Sequence, residues 1–90
     1  MRYMVIEHLH EGAAPKVHER ARIEGRMLPD GLLYIDSWVT EDFTCCYQVM
    51  ESDDVALIHR WIESWRDLVD FEVVPVMSSA EAAHMFIHSS

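Results

Sequence analysis

Four polar residues, Glu7, Asp36, Gln48 and Glu72, lie inside stretches that are otherwise mostly apolar, with the aromatic Tyr34 and Trp38 close by in sequence. Carboxyl groups held among apolar neighbours lose hydration, keep their protons to higher pH and can donate or accept them. A side-chain amide adds donors and an acceptor. The six residues together form a candidate ligand-binding set for a small, partly apolar molecule. The same groups would serve as a network that closes a subunit interface, bonded to a partner or to water.

Other residue types offer chemistry at weaker spacing. His8 and His10 are two apart on a strand, and His84 and His88 four apart on a helix. Either pair could start a metal site, but no third ligand is adjacent, so both read as solvated and no metal is expected. Cys45 and Cys46 are neighbours whose side chains point to opposite faces of a strand. A disulfide between them would be strained, so they are expected to be reduced and to pack; nucleophilic use would need an activating base. Arg26, just before Leu-Pro-Asp-Gly, reads as helix C-terminal chemistry, with anion binding as its alternative. Trp61 and Trp65, four apart, read as core packing. The chain has no phosphate-binding glycine loop, dinucleotide fingerprint, zinc-finger spacing or nucleophile elbow, and no cofactor is expected.

Composition narrows the partners. Ninety residues make one domain of ordinary globular composition, small enough to gain from a second subunit. A net charge of −9 repels a phosphate backbone, so no nucleic acid is expected, and it favours solubility. The glycine-aromatic RNA-binding motif of some related sheets is missing. No apolar run reaches the roughly 18 residues of a membrane span, and the N-terminus lacks a secretory apolar core. A cytoplasmic protein is expected, with no membrane partner.

The positioning elements follow from periodicity and punctuation. Residues 2–9 read as a strand. Pro15 suits the first turn of a helix over 15–28, with Val17, Ala21 and Leu28 inward. Pro29 and Gly31 then make a turn. Residues 32–40 and 43–51 alternate as a strand pair. Ser52, Asp53 and Asp54 offer an N-cap for a helix over about 54–67, whose Val55, Ile58, Trp61, Ile62 and Trp65 form a stripe. Residues 69–77 read as an edge strand, because Pro75 donates no ladder bond. A short C-terminal helix and tail cover 79–90, after a domain over 1–78. The order is βαββαβ, the ferredoxin-like α+β pattern: a four-stranded antiparallel sheet with two helices on one face.

Two helices cover one sheet face and leave the other open. Parity places Leu33, Ile35, Ser37 and Val39 under the helices. The turn Glu41-Asp42 lacks the residues of a two-residue hairpin, so a longer or bulged loop is expected. That loop pairs Trp38 with Cys46, Asp36 with Gln48 and Tyr34 with Met50, although a slip of one residue would reverse every side chain of the second strand of the pair. Cys45, Tyr47 and Val49 then join Val69, Phe71 and Val73 under the helices. The open face would hold Tyr3, Val5, Glu7, Tyr34, Asp36, Trp38, Gln48, Met50, Glu72 and Val74. It is too apolar to sit bare in water.

Several strings carry a resemblance: Tyr-Met-Val-Ile-Glu at 3–7, Gly-Arg-Met-Leu-Pro-Asp-Gly-Leu at 25–32, Asp-Ser-Trp-Val at 36–39, Tyr-Gln-Val-Met-Glu at 47–51 and Leu-Val-Asp-Phe-Glu-Val-Val-Pro-Val at 68–76. In combination the chain resembles, from about 1 to 83, a family of short bacterial proteins known as domain of unknown function 3303. Met85 to Ser90 fall outside that likeness. The family looks related to the dimeric α/β-barrel group, which implies a homodimer pressed together through open sheet faces, with a possible ligand between them. The group includes cofactor-free oxygenases and isomerases, some acting with haem, so the likeness also implies an enzymatic alternative using Glu7, Asp36 or Glu72 as acid or base. A third alternative is a purely structural module that docks through its C-terminal helix. No catalytic residue transfers from the family.

Overall fold

The computed structural model describes residues 1–88 and has the expected α+β fold. Strand β1 (Arg2–Leu9) leads to helix α1 (Ala14–Glu24), the hairpin of β2 (Leu33–Val39) and β3 (Cys45–Glu51), helix α2 (Val55–Glu63), strand β4 (Val69–Val76) and helix α3 (Ser79–His88). The four strands form one antiparallel sheet in the order β2-β3-β1-β4. Strand β4 lies at an edge, where the missing N–H of Pro75 costs no ladder bond.

Local chemistry sets the element ends. Pro15 occupies the first turn of α1, and Gly25 closes it at φ 69°. The helix therefore stops before the 28 expected from sequence, because Gly25 takes a positive φ with extended ψ, a conformation that glycine alone adopts readily and that cannot continue the helix. Asp54 caps α2, its carboxylate accepting from the Ala56 N–H at 2.9 Å. Helix α2 ends at Glu63, and turns carry the chain to β4. Ile58 and Trp61 from the helix and Trp65 from the turn pack with Tyr3, Val5, Leu32 and Met50 into the core.

That core reverses the expected faces of two strands. Tyr3, Val5 and Glu7 of β1, and Gln48 and Met50 of β3, are all buried on the helix-covered side rather than on the open one. Tyr34 is on that side too, opposite Met50. Cys45, Tyr47 and Val49 therefore belong to the other face. The central strand β1 is apolar on both parities, Tyr3 and Val5 against Met4 and Ile6, so alternation does not say which side the helices cover. The crossover connections decide that.

A bulge corrects the hairpin register. Tyr34 pairs with Met50 as expected, but the register shifts between Tyr34 and Asp36, leaving Ile35 as the extra residue. Asp36 then faces Val49, and Trp38 faces Tyr47, each one position from the sequence expectation. The bulge also puts Tyr34 and Ser37 on one face, where their hydroxyls meet at 2.7 Å. Leu33 and Ile35, expected under the helices, are exposed, whereas Ser37 and Val39 do line the helix side. Val69, Phe71 and Val73 pack inward as expected.

Candidate ligand site

Two rows of side chains cross the covered face of the sheet. One runs Ser37, Gln48, Val5, Val73; the other runs Val39, Cys46, Glu7, Phe71. Toward β4 and the helices these rows join the packed core. Toward β2, between sheet and helices, they border a cavity of about 200 Å³. Its floor is Glu7, Cys46, Gln48 and Ser37, and Val17 and Ala21 of α1 face it with Trp61 and Trp65. A broader hollow of about 510 Å³ lies along Pro15, Lys16 and Glu19 on α1, but its walls are mostly exposed side chains and it brings no buried polar group together.

The floor is polar where a core would be apolar. Gln48 is only 4% exposed, and its Nε2 has no hydrogen-bond partner among the described residues. A buried donor left unbonded costs about 1–3 kcal/mol. Glu7 is 9% exposed. Burial pushes its carboxyl above the ordinary glutamate range, against the opposing effects of a hydrogen bond from the Cys46 thiol and the charge of Arg26. Cys46 is pushed up to about 12, chiefly by burial and then by the neighbouring Glu7. It therefore remains a thiol near neutral pH and acts as a donor to Glu7, not as a nucleophile.

Arg26 ties the site to the helices. Its backbone carbonyl accepts both indole N–H groups, from Trp61 at 2.7 Å and Trp65 at 3.3 Å. Its guanidinium lies 3.7 Å from the centre of the Tyr34 ring, a cation–π contact. No carboxylate among the described residues forms an ion pair with it. The rim is completed by His18 of α1, which meets Phe43 edge-on at 6.3 Å between ring centres. Phe43 is held at φ 62° in the β2–β3 loop. Asp42 stabilises that strained turn, accepting from the Thr40 hydroxyl at 2.7 Å and the Thr44 hydroxyl at 2.7 Å.

The six candidate residues thus divide. Glu7 and Gln48 border the cavity, and Tyr34 supports it through Arg26 and Ser37. Asp36, Trp38 and Glu72 lie on the opposite face, exposed. Sequence reasoning set Arg26, Cys46, Trp61 and Trp65 apart from the candidate set, and it gave no weight to His18. The polar Gln48 amid apolar alternation was the signal that did lead to the cavity.

The other face has a different character. Trp38, Tyr47, Leu33 and Val74 are exposed there, each with more than two-fifths of its surface accessible, beside Met4, Ile6 and Val49. At its β1–β4 side His8 Nε2 lies 2.6 Å from Glu72 Oε1, and His10 Nε2 lies 3.0 Å from Asp70 Oδ1. Among the described residues no three His, Cys, Asp or Glu side chains converge as a metal site. Helix α3 begins with Ser78 Oγ accepting from the Glu81 N–H, and Glu81 pairs with Arg2 at 3.1 Å. Its Met85, Phe86 and Ile87 are exposed. No helix of the described residues is long and apolar enough to cross a membrane.

The family model for domain of unknown function 3303 (DUF3303) matches residues 1–88, and the chain belongs to that family. The match includes Met85 to His88, which the sequence likeness had left outside. No curated protein and no solved structure matches the chain.

Proposed function

We propose that this member of the DUF3303 family is a small-molecule-binding protein whose site is the cavity between the sheet and the helices. One observation carries the reading: the Gln48 amide is buried at the cavity wall with an unpartnered donor. Structures rarely leave such a group unsatisfied, and an unmade bond beside an open cavity is where a ligand would bind. The ligand expected from sequence thus moves from the space between two sheets to the space under the helices. An acid–base role within the same site falls to Glu7, because Asp36 and Glu72 lie on the far face. The test is a fragment screen on crystals and by NMR. Fragments should occupy the cavity and shift the Gln48 side-chain amide; an ordered water bonded to Gln48 Nε2, with every fragment excluded, would defeat the proposal.

A homodimer formed through the open sheet face is a second proposal, compatible with the first. The exposed Trp38, Tyr47, Leu33 and Val74, continuous with Met4, Ile6 and Val49, support it. Contiguous apolar surface of this kind marks interaction sites, and identical faces meet naturally across a two-fold axis. Such an arrangement would be that of the dimeric α/β-barrel group. The reduced Cys45 and Cys46 fit a cytoplasmic setting, and the −9 charge speaks against a nucleic-acid partner. Light scattering should give twice the 10.5 kDa chain mass, reduced to one chain by Trp38→Glu. A wild-type protein that stays monomeric at high concentration would rule the dimer out.

A further inference from the structure

Resting on the ligand-binding reading above, we infer that the cavity takes a small carboxylate with a single compact apolar body, its oxygens accepting from the Gln48 amide and the Arg26 guanidinium. The donors select the head group. Gln48 Nε2 is buried and unbonded, and Arg26 is a cation without a carboxylate partner among the described residues. Both border the same cavity, the amide as a buried donor with no acceptor and Arg26 as a solvent-exposed cation at the rim. A carboxylate supplies two acceptor oxygens and the charge that matches a guanidinium. A ligand amine would instead leave Gln48 unbonded and meet Arg26 as a like charge. Burial raises the Glu7 carboxyl of the floor above the ordinary glutamate range, with the Cys46 thiol and the Arg26 charge opposing the rise.

The walls select the body. Beyond the polar floor the cavity is bordered by Val17, Ala21, Val39 and the two tryptophans. Its volume of about 200 Å³ is below the roughly 300 Å³ at which drug-sized sites begin. An apolar cavity of about 150 Å³ is enough for benzene. One ring, or a branched chain of similar bulk, therefore fills it beside the head group.

The test is an NMR titration of the full ¹⁵N-labelled chain with benzoate, benzamide and benzylamine. Benzoate should shift the Gln48 side-chain amide and both indole N–H signals to saturation, with benzamide weaker and benzylamine without effect. Arg26→Gln should weaken benzoate at least about tenfold, the loss of one charge-assisted bond, and leave benzamide unchanged. This substitution keeps the backbone carbonyl that receives Trp61 and Trp65, so the fold is retained. Gln48→Glu should abolish benzoate binding independently. If benzamide or benzylamine binds as tightly as benzoate, the carboxylate assignment is overturned while the cavity remains a ligand site. If none of the three shifts Gln48 but other fragments occupy the cavity, the assignment is again overturned and the ligand-binding reading stands. An empty or water-filled cavity under all probes overturns both.

Discussion

The two faces of the sheet contradict the usual division of polar and apolar residues. The face under α1 and α2 contains a carboxyl, an amide and a thiol around a cavity, whereas the face turned away from them presents tryptophan, tyrosine and leucine. A protein that only needed to fold would exchange them, because burying Glu7 and Gln48 costs desolvation and exposing Trp38 forgoes hydrophobic stabilisation. Each departure is what the proposed ligand and the proposed second subunit would account for. The buried polar set suits a small ligand, and the exposed apolar set suits another surface. The comparison also separates two kinds of tryptophan: Trp61 and Trp65 hold the fold, with their N–H groups bonded, and Trp38 does not.

The largest test of that difference is a pair of truncations. Trp61→Ala should cost about 3–5 kcal/mol in urea unfolding, since it leaves a void in the core and removes the shorter of the two indole bonds to the Arg26 carbonyl. Trp38→Ala, measured at concentrations that keep the chain monomeric, should cost less than about 1 kcal/mol. Equal losses would erase the distinction between the faces. A second test acts on the polar floor. Gln48→Leu should stabilise the ligand-free protein by about 1 kcal/mol, because it removes a buried unbonded donor, and should abolish ligand binding. A destabilised Gln48→Leu protein would mean that the amide is satisfied in solution.

The third test uses pH. Burial raises the folded-state value of Glu7, so the native protein holds this proton more tightly than the unfolded chain. The protonated form is favoured on folding, and stability is lost as pH rises from the ordinary glutamate value through the raised one. The stability of wild type relative to Glu7→Gln should therefore fall across that window, read from paired urea curves; a difference that does not change with pH would count against a buried, raised Glu7. The smallest effect concerns Cys46. With its thiol pushed up to about 12, iodoacetamide labelling of the native protein should be far slower than for the unfolded chain at pH 8, and rapid native labelling would contradict that environment.

Much of the architecture was legible in the chain. Pro15, the Asp54 cap, the Ile58–Trp61–Trp65 stripe and Pro75 each act through neighbours a few residues away, so the element order and the edge position of β4 could be read directly. Gln48 was legible as an oddity. The hairpin pairing was legible only as far as Tyr34, because the bulge at Ile35 has no composition signal in a strand already rich in apolar residues. The candidate set was half legible: six residues were grouped by parity, and the bulge together with the reversed faces of β1 and β3 sent Asp36, Trp38 and Glu72 to one side and Glu7, Gln48 and Tyr34 to the other.

By itself the sequence determined the βαββαβ order, the acidic surface and the presence of polar groups where a plain sheet would hold aliphatics. These depend on local periodicity, on turn residues and on composition. Only the tertiary structure decided which face the helices cover. A strand apolar on both parities is compatible with either, and the side is set by how the crossovers pack. That choice turned Glu7 and Gln48 from residues of an interface into the floor of a cavity, and brought Arg26, distant in sequence from both, to its rim.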